Sequence, residues 1–270
     1  MHETKYNPYQ IFTTSKTPAG FYARQKWLNQ ADTHNWEKDF EVTVTALYAD
    51  QADDGSWYRS DAETISRLFG LHLTVRDNLT KIDSALNWLL EKRSPQPVED
   101  SPDADIGAIN DKFEGLPFMP SRKDHFILPA TLFLASIFER HDDPDVLERY
   151  RWLSSDGIKT KGLWVNRACS NNILRAMVVH PTFSKDSDTL LAVKSLAGEQ
   201  LEAGNWKGCI PFYQTLNDLA HIDIPEAKKQ LEKAFLRLLK TQQSDGSWGD
   251  TESEWNTFLS IHALRNKGLL

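Results

Sequence analysis

The feature that most constrains this chain is a tripeptide that returns on a fixed period. Gly162-Leu163-Trp164, Gly204-Asn205-Trp206 and Gly246-Ser247-Trp248 share one pattern, and their glycines stand 42 residues apart. An upstream copy reads Gly55-Ser56-Trp57, and Gly115-Leu116-Pro117-Phe118 is a degenerate one. Self-similarity near 40 residues marks an architecture of stacked helical pairs, in which each unit buries its apolar face against its neighbours. The flanks repeat too. A glutamine precedes the glycine by four residues in three copies, as Gln51, Gln200 and Gln242.

Helical patterns stand on both sides of each tripeptide. Ahead of Gly246, the residues Ala227, Leu231, Ala234, Phe235, Leu238 and Leu239 place one apolar stripe on one helix face. Behind the tripeptides come Ile65–His72, Phe126–Phe138, Ile173–Val179, Phe212–Ala220 and Phe258–Leu264. Asp223-Ile224-Pro225 supplies a helix start, while Asp142-Asp143-Pro144 and His180-Pro181 supply stops. The glycine is expected to take a left-handed backbone, the tryptophan to cover the joint between hairpins, and the glutamine to bond loose backbone groups there. A worn first unit begins at Gly20-Phe21-Tyr22 and continues in a helix from about His34 to Asp50, and the last unit ends at Leu270 without its second helix. The expectation is an all-α, α/α toroid of about six hairpins in one domain over residues 1–270, with six helices of one kind and five of the other. The longer gap from Gly55 to Gly115 accommodates a loop insertion at about residues 93–112, rich in Pro, Asp and Ser.

Composition narrows the function classes. A formal charge of −7 with no basic stripe argues against a nucleic-acid partner. The two cysteines, Cys169 and Cys209, have no paired spacing, so neither a disulfide framework nor a cysteine-rich zinc site is expected. The polar start of the chain lacks an apolar signal core, and no run is long enough to span a bilayer. A cytoplasmic protein with no cofactor is the expectation.

The segment Gln242-Gln-Ser-Asp-Gly246-Ser-Trp248-Gly249, continued by Glu254-Trp-Asn-Thr257 through Ala263-Leu264, resembles the glutamine–tryptophan motif of squalene–hopene cyclases and class II diterpene cyclases. The resemblance extends over repeated stretches from about Ala46 onward, within the wider terpenoid cyclase and protein prenyltransferase superfamily. It implies that the helix after each Gly-x-Trp belongs to an inner ring around a central cavity, and that the helix before it lies outside. The family protonates an alkene with the middle carboxylate of Asp-x-Asp-Asp-Thr. Here the nearest stretch is Ser60-Asp61-Ala62-Glu63-Thr64, which puts Ala62 in the donor's place and leaves Asp61 or Glu63 as substitutes. The zinc segment of the prenyltransferases is matched by Lys207-Gly208-Cys209 and Asn256, so one ligand of three survives and no metal is expected.

Aligning the inner helices on their threonines gives one recurrent polar position, occupied by Glu63, Asn172, Gln214 and Asn256, with Asp124 or His125 from the Pro117 unit. If that position faces the axis, these side chains converge in the cavity, where Phe126, Phe212, Tyr213 and Trp255 would provide aromatic walls. Asp61, Glu63 and Asp124 are the candidate catalytic carboxylates; His125, Asn172, Tyr213, Gln214, Trp255 and Asn256 are the candidate ligand contacts. Asp250, Glu252 and Glu254 open the last helix, where their simplest role is to favour its N-terminus. A small, isoprenoid ligand is the first functional expectation. A carbohydrate-processing six-hairpin enzyme, with Asp61, Glu63 and Asp124 as its acids, is an alternative. A scaffold that presents its concave surface to a protein partner is another.

Overall fold

A computed structural model of the chain describes residues 4–31, 34–76, 80–91, 118, 123–159, 167–208 and 210–270, without the side chains of 34, 123–125, 156–159 and 167–169. The expected insertion at 93–112, Trp164, Cys209, and the side chains of Asp124, His125 and Cys169 lie outside the described residues.

Eleven α-helices run through the described residues: α1 (Pro18–Lys26), α2 (His34–Tyr48), α3 (Asp61–Thr74), α4 (Thr80–Glu91), α5 (Lys123–Ile137), α6 (Pro144–Lys159), α7 (Arg167–Val179), α8 (Ser187–Glu199), α9 (Phe212–Ala220), α10 (Pro225–Lys240) and α11 (Ser253–Asn266). The odd-numbered helices form a closed ring. Each touches the next in order, and α11 returns to α1. The even-numbered helices pack outside it: α2 on α1 and α3, α4 on α3 and α5, then α6 on α5, α8 on α7 and α10 on α9. Among the described residues this is an all-helical toroid with six inner and five outer helices. Gly20–Tyr22, read from sequence as the start of a worn unit, lies within α1 rather than at a turn.

Burial explains the two kinds of helix. In α3 nearly every residue from Thr64 to Thr74 is buried or half-buried, and in α11 the same holds from Trp255 to Leu264. A helix packed on both sides must be apolar almost all round. In α10 burial is confined to the stripe Ala227, Gln230, Leu231, Ala234, Phe235 and Leu238.

The Gly-x-Trp turns join these layers by one repeated device. Gly55, Gly204 and Gly246 have φ of +88°, +91° and +90°, a region that side chains rarely adopt. Each also meets the next outer element. A Cβ on Gly55 would lie 2.4 Å from the Ser84 carbonyl carbon and oxygen in α4, and one on Gly204 would lie 2.4 Å from Lys233 O in α10. The glutamine then staples the joint. Gln51 Nε2 donates to Gly55 O and Lys81 O, and Gln200 Nε2 donates to Gly204 O and Gln230 O. The tryptophans are buried over it, with the indole N–H of Trp57 donating to Ala49 O and that of Trp248 to Leu238 O.

At the last copy the N-terminal segment stands where an outer helix stands at the other two. Gln242 Nε2 donates to Gly246 O and Tyr6 O, while Gln242 Oε1 accepts from Tyr6 N at 3.0 Å. A Cβ on Gly246 would come within 2.0 Å of Asn7 O. An aromatic seam seals the same boundary: Phe258 of α11 packs on Tyr22 of α1 at 5.4 Å and on Trp27 at 5.0 Å, and Phe12 is fully buried beside them. The ring is closed by its own N-terminal segment.

Candidate functional site

One cavity that involves the inner ring lies between α1, α3 and α11, beside Leu47 of α2, with a volume of about 550 Å³. Its wall on α3 is Ser66, Phe69, Gly70 and Leu73, a spacing that puts all four on one helix face. Gly70 lets α2 approach, since a Cβ there would meet Leu47 Cδ2 at 2.6 Å. Opposite stand Glu252, Ser253, Glu254 and Trp255 at the start of α11, and Thr17 to Ala19 at the start of α1. Phe69 meets Trp255 edge-to-face at 5.7 Å, and Trp255 stacks on Phe258 at 5.1 Å. Apolar and aromatic walls with a few polar groups at one end are the usual form of a small-molecule site.

The polar end is held by bonds across the ring seam. Glu254 Oε1 accepts from Ser15 Oγ at 2.9 Å and from Thr17 Oγ1. Glu252 has φ of +48°, a left-handed backbone that costs a non-glycine residue on the order of 1 kcal/mol. Strained residues of this kind persist where the surroundings impose them, and they concentrate at binding sites.

Deeper in the ring a second, fully buried polar group connects α7, α9 and α11. Arg175 Nη1 donates to Asp218 Oδ1 at 2.7 Å and to Asn217 Oδ1 at 2.6 Å. Asn171 Nδ2 donates to Thr215 Oγ1 at 3.0 Å and to Asp218 Oδ2 at 3.2 Å. Asn217 Nδ2 reaches Leu259 O and His262 Nδ1. Phe133 links the two regions: it contacts Phe69 at 6.0 Å and lies under the Arg175 guanidinium at 5.5 Å. Burial raises the Asp218 carboxyl to about 6, against the lowering effects of Arg175 and Asn171. Burial also drives His72 down to about 3, and it lowers His180, whose Nδ1 accepts the backbone N–H groups of Thr182 and Phe183.

These shifts carry signs for stability. The unfolded state protonates His72, His180, His221 and His262 as pH falls below about 6.5 while burial keeps them neutral in the fold, so their contribution is full above that value; it is lost towards about pH 3 for His72 and His221 and about 4 for His262, and His180 shifts in the same direction. Asp218 runs the other way: its contribution is present below its unfolded value of 3.8 and lost as pH rises to about 6. Four histidines are lowered and one aspartate is raised, so stability falls on acidification from pH 6.5 to 4. His72→Phe, which keeps ring contacts with Phe69, Phe133 and Phe138, is expected to flatten that fall in urea titrations at stepped pH. An unchanged slope in the variant would contradict the assignment.

The sequence-expected residues are distributed rather than gathered at one point. Trp255 lines the cavity. Asp61 and Glu63 occupy the first turn of α3, ahead of the cavity-lining face, and Glu63 is paired with Arg67 Nε at 2.8 Å. Arg67 in turn reaches Ala46 O on α2. Asn172 is fully buried in α7, Gln214 and Tyr213 are half-buried on α9, and burial raises the Tyr213 hydroxyl. Asn256 turns its amide back to Thr251 O at 2.8 Å. The threonines used for the alignment serve the backbone: Thr64 Oγ1 accepts from Trp57 N and Thr257 Oγ1 from Trp248 N. Sequence reasoning missed Asn171, Arg175, Asn217 and Asp218. Their signal was a charge in each of two apolar inner helices, Arg175 and Asp218. No group of three potential metal ligands forms among the described residues, and no described helix is long and apolar enough to cross a membrane.

No family model matches the sequence, and no curated protein matches it either. Solved structures do. A protein from Actinoplanes superposes with a TM-score of 0.60 at 14% identity, covering 96% of this chain and 90% of its own. A variant of the type II terpene cyclase MstE from Scytonema, without ligand, superposes with a TM-score of 0.58 at 12% identity over 94% of this chain and 88% of that one. Another MstE variant, in complex with its substrate geranylgeranyl dihydroxybenzoate, matches with the same score and identity over 94% and 87%. At these identities the likeness is one of fold: the chain has a terpene cyclase-like toroid.

Proposed function

We propose that this toroid binds a small isoprenoid ligand in the cavity between α1, α3 and α11. The observation that carries the reading is the wall itself, in which Phe69, Leu73, Leu47 and Trp255 offer an apolar, aromatic surface beside the inner helices α3 and α11. The fold neighbours support it, since MstE is a type II terpene cyclase whose substrate geranylgeranyl dihydroxybenzoate carries a geranylgeranyl chain. Any proton-donor chemistry falls to Asp61 or Glu63, the carboxylates of the first turn of α3, because Ala62 occupies the place that the cyclase motif gives its acid.

A cavity-filling substitution tests this reading. Ser66→Trp projects a large ring from the α3 wall into the space while leaving the core of the helix unchanged. Wild-type protein is expected to gain several degrees in Tm with a C15 to C20 polyprene at saturating concentration, as about 100-fold excess over Kd contributes about 2.7 kcal/mol. The variant should fold, by circular dichroism and its own Tm, and lose that gain. Stabilisation by oligosaccharides instead of polyprenes, or a variant that still responds, would overturn the proposal.

A further inference from the structure

Away from that cavity, basic side chains gather towards the C-terminal ends of the inner helices. Arg76 follows the end of α3, and its guanidinium lies over the Tyr22 ring of α1 at 5.1 Å. Tyr22 meets His262 of α11 at 6.5 Å. His262 in turn faces His221, the residue that ends α9, at 5.4 Å with the rings 34° from parallel. Asn217 ties this pair to Arg175: its Oδ1 accepts from Arg175 Nη1 at 2.6 Å, and its Nδ2 stands 3.1 Å from His262 Nδ1. A guanidinium only donates, so Arg175 fixes the amide with its nitrogen towards His262. His262 Nδ1 is then the acceptor, and the ring carries its proton on Nε2. His72 of α3 joins the group by sharing Phe133 with Arg175. Exposure is graded across the cluster. Arg76 and His221 are exposed, Tyr22 and His262 are half-buried, and His72 and Arg175 are buried.

We propose that this cluster binds a phosphate-sized oxyanion, held by the Arg76 guanidinium and by the imidazoles of His221 and His262. Its residues are separate from those that line the cavity between α1, α3 and α11, so the proposal does not rest on the isoprenoid reading. Arginine and protonated histidine offer donors alone, the set that an oxyanion's acceptors require. The field has the matching sign. After desolvation among the helix ends, Arg175, Arg76 and Arg265 lower His262 to about 4, and His262, Arg175 and Lys267 lower His221 to about 3. Asp218 and Asp223 are the carboxylates beside them; Arg175 engages the first at 2.7 Å and Lys267 the second at 2.6 Å. The two imidazoles are therefore neutral near pH 7, and a bound anion supplies the opposite charge that favours the imidazolium. Imidazoliums this close repel each other, so the pair takes up close to one proton. Binding is then coupled to protonation, and it tightens as pH falls.

Sulfate is the first probe, because it stays a dianion across this range and any proton taken up must go to the protein. It is titrated into the full chain at constant ionic strength made up with sodium chloride, with histidine ring signals followed by NMR. The His221 and His262 signals should move saturably towards their protonated positions, and Kd should tighten by close to 10-fold from pH 6.5 to 5.5, the slope for about one proton. Calorimetry in two buffers of different ionisation enthalpy should count that proton directly. Arg76 and His221 are exposed, so their variants should fold. Arg76→Gln should weaken sulfate about 10-fold, as loss of a charge-assisted contact does, and Arg76→Lys should restore most of it. His221→Gln should remove much of the pH dependence. Inorganic phosphate and phenyl phosphate then separate the sources: a free ion if only the first binds, a phosphate ester if the second binds as well. Shifts no larger than those from sodium chloride, binding without proton uptake, or an affinity that ignores Arg76→Gln would overturn the proposal.

Discussion

Replacing Gly246 by alanine is expected to break the seam of the ring and to be among the most damaging single changes in the chain. The methyl group would sit 2.0 Å from Asn7 O, a contact with backbone that no rotamer can relieve, and it would be forced onto φ of +90°. Left-handed strain of about 1–2 kcal/mol and overpacking of about 1–3 kcal/mol together give a loss of roughly 2–5 kcal/mol. The Tm should fall by on the order of 10 °C. Because the clash lies against the N-terminal segment, hydrogen exchange should speed first at the Tyr6 amide, which donates to Gln242 Oε1. Gly198→Ala is the matched control. That glycine lies near the end of α8 with nothing within 4 Å of an added Cβ, so the change should stabilise by about 0.5–1 kcal/mol. A tolerated Gly246→Ala would show that the seam is not what closes the ring.

The second large effect belongs to the buried pair. Asp218→Ala strands the Arg175 guanidinium at 6% side-chain exposure, with Asn217 as its remaining bonded partner and Phe133 beneath it. Removing one member of a buried ion pair costs roughly 3–5 kcal/mol, chiefly through the unpaired charge, whereas replacing both with apolar residues of similar volume is far milder. Asp218→Leu with Arg175→Met should therefore recover most of the loss. Denaturant titration of the two single variants and the double variant measures the coupling. Additive losses would mean that the pair is not coupled and that the network does not tie α7 to α9.

Much of the fold was legible because its signals are local. A left-handed glycine, a glutamine four residues before it and a tryptophan two residues after it sit in one turn, so their spacing can be read without knowing the rest of the fold. Gln51, Gln200 and Gln242 play one role in the structure, and Gln242 plays it on Tyr6. The site was less legible. The aligned threonines did mark a recurrent position, but two of them cap the Gly-x-Trp backbone, so the repetition reports the turn rather than a polar lining. Asn171, one residue from the expected Asn172, is the one that reaches across to Thr215 and Asp218. A step of one residue turns a helix face by about 100°, so Asn171 and Asn172 face different directions. Glu254 reads in sequence as a helix N-terminal charge, yet its partners Ser15 and Thr17 are more than 230 residues away. The cavity lies at the one joint where the repeat meets a segment outside it, and periodicity carries no information there.

The central claim is that the space between α1, α3 and α11 holds an isoprenoid. The most direct measurement is photo-crosslinking of wild-type protein with a polyprenyl hydrocarbon carrying a diazirine, followed by peptide mapping. Labels on Ser66–Leu73, on Ser253–Trp255 and on Thr17–Ala19, competed away by unlabelled polyprene, are the predicted result. Competed labelling confined to the outer groove around Phe235 and Leu269, or labelling that excess polyprene does not reduce, would contradict it.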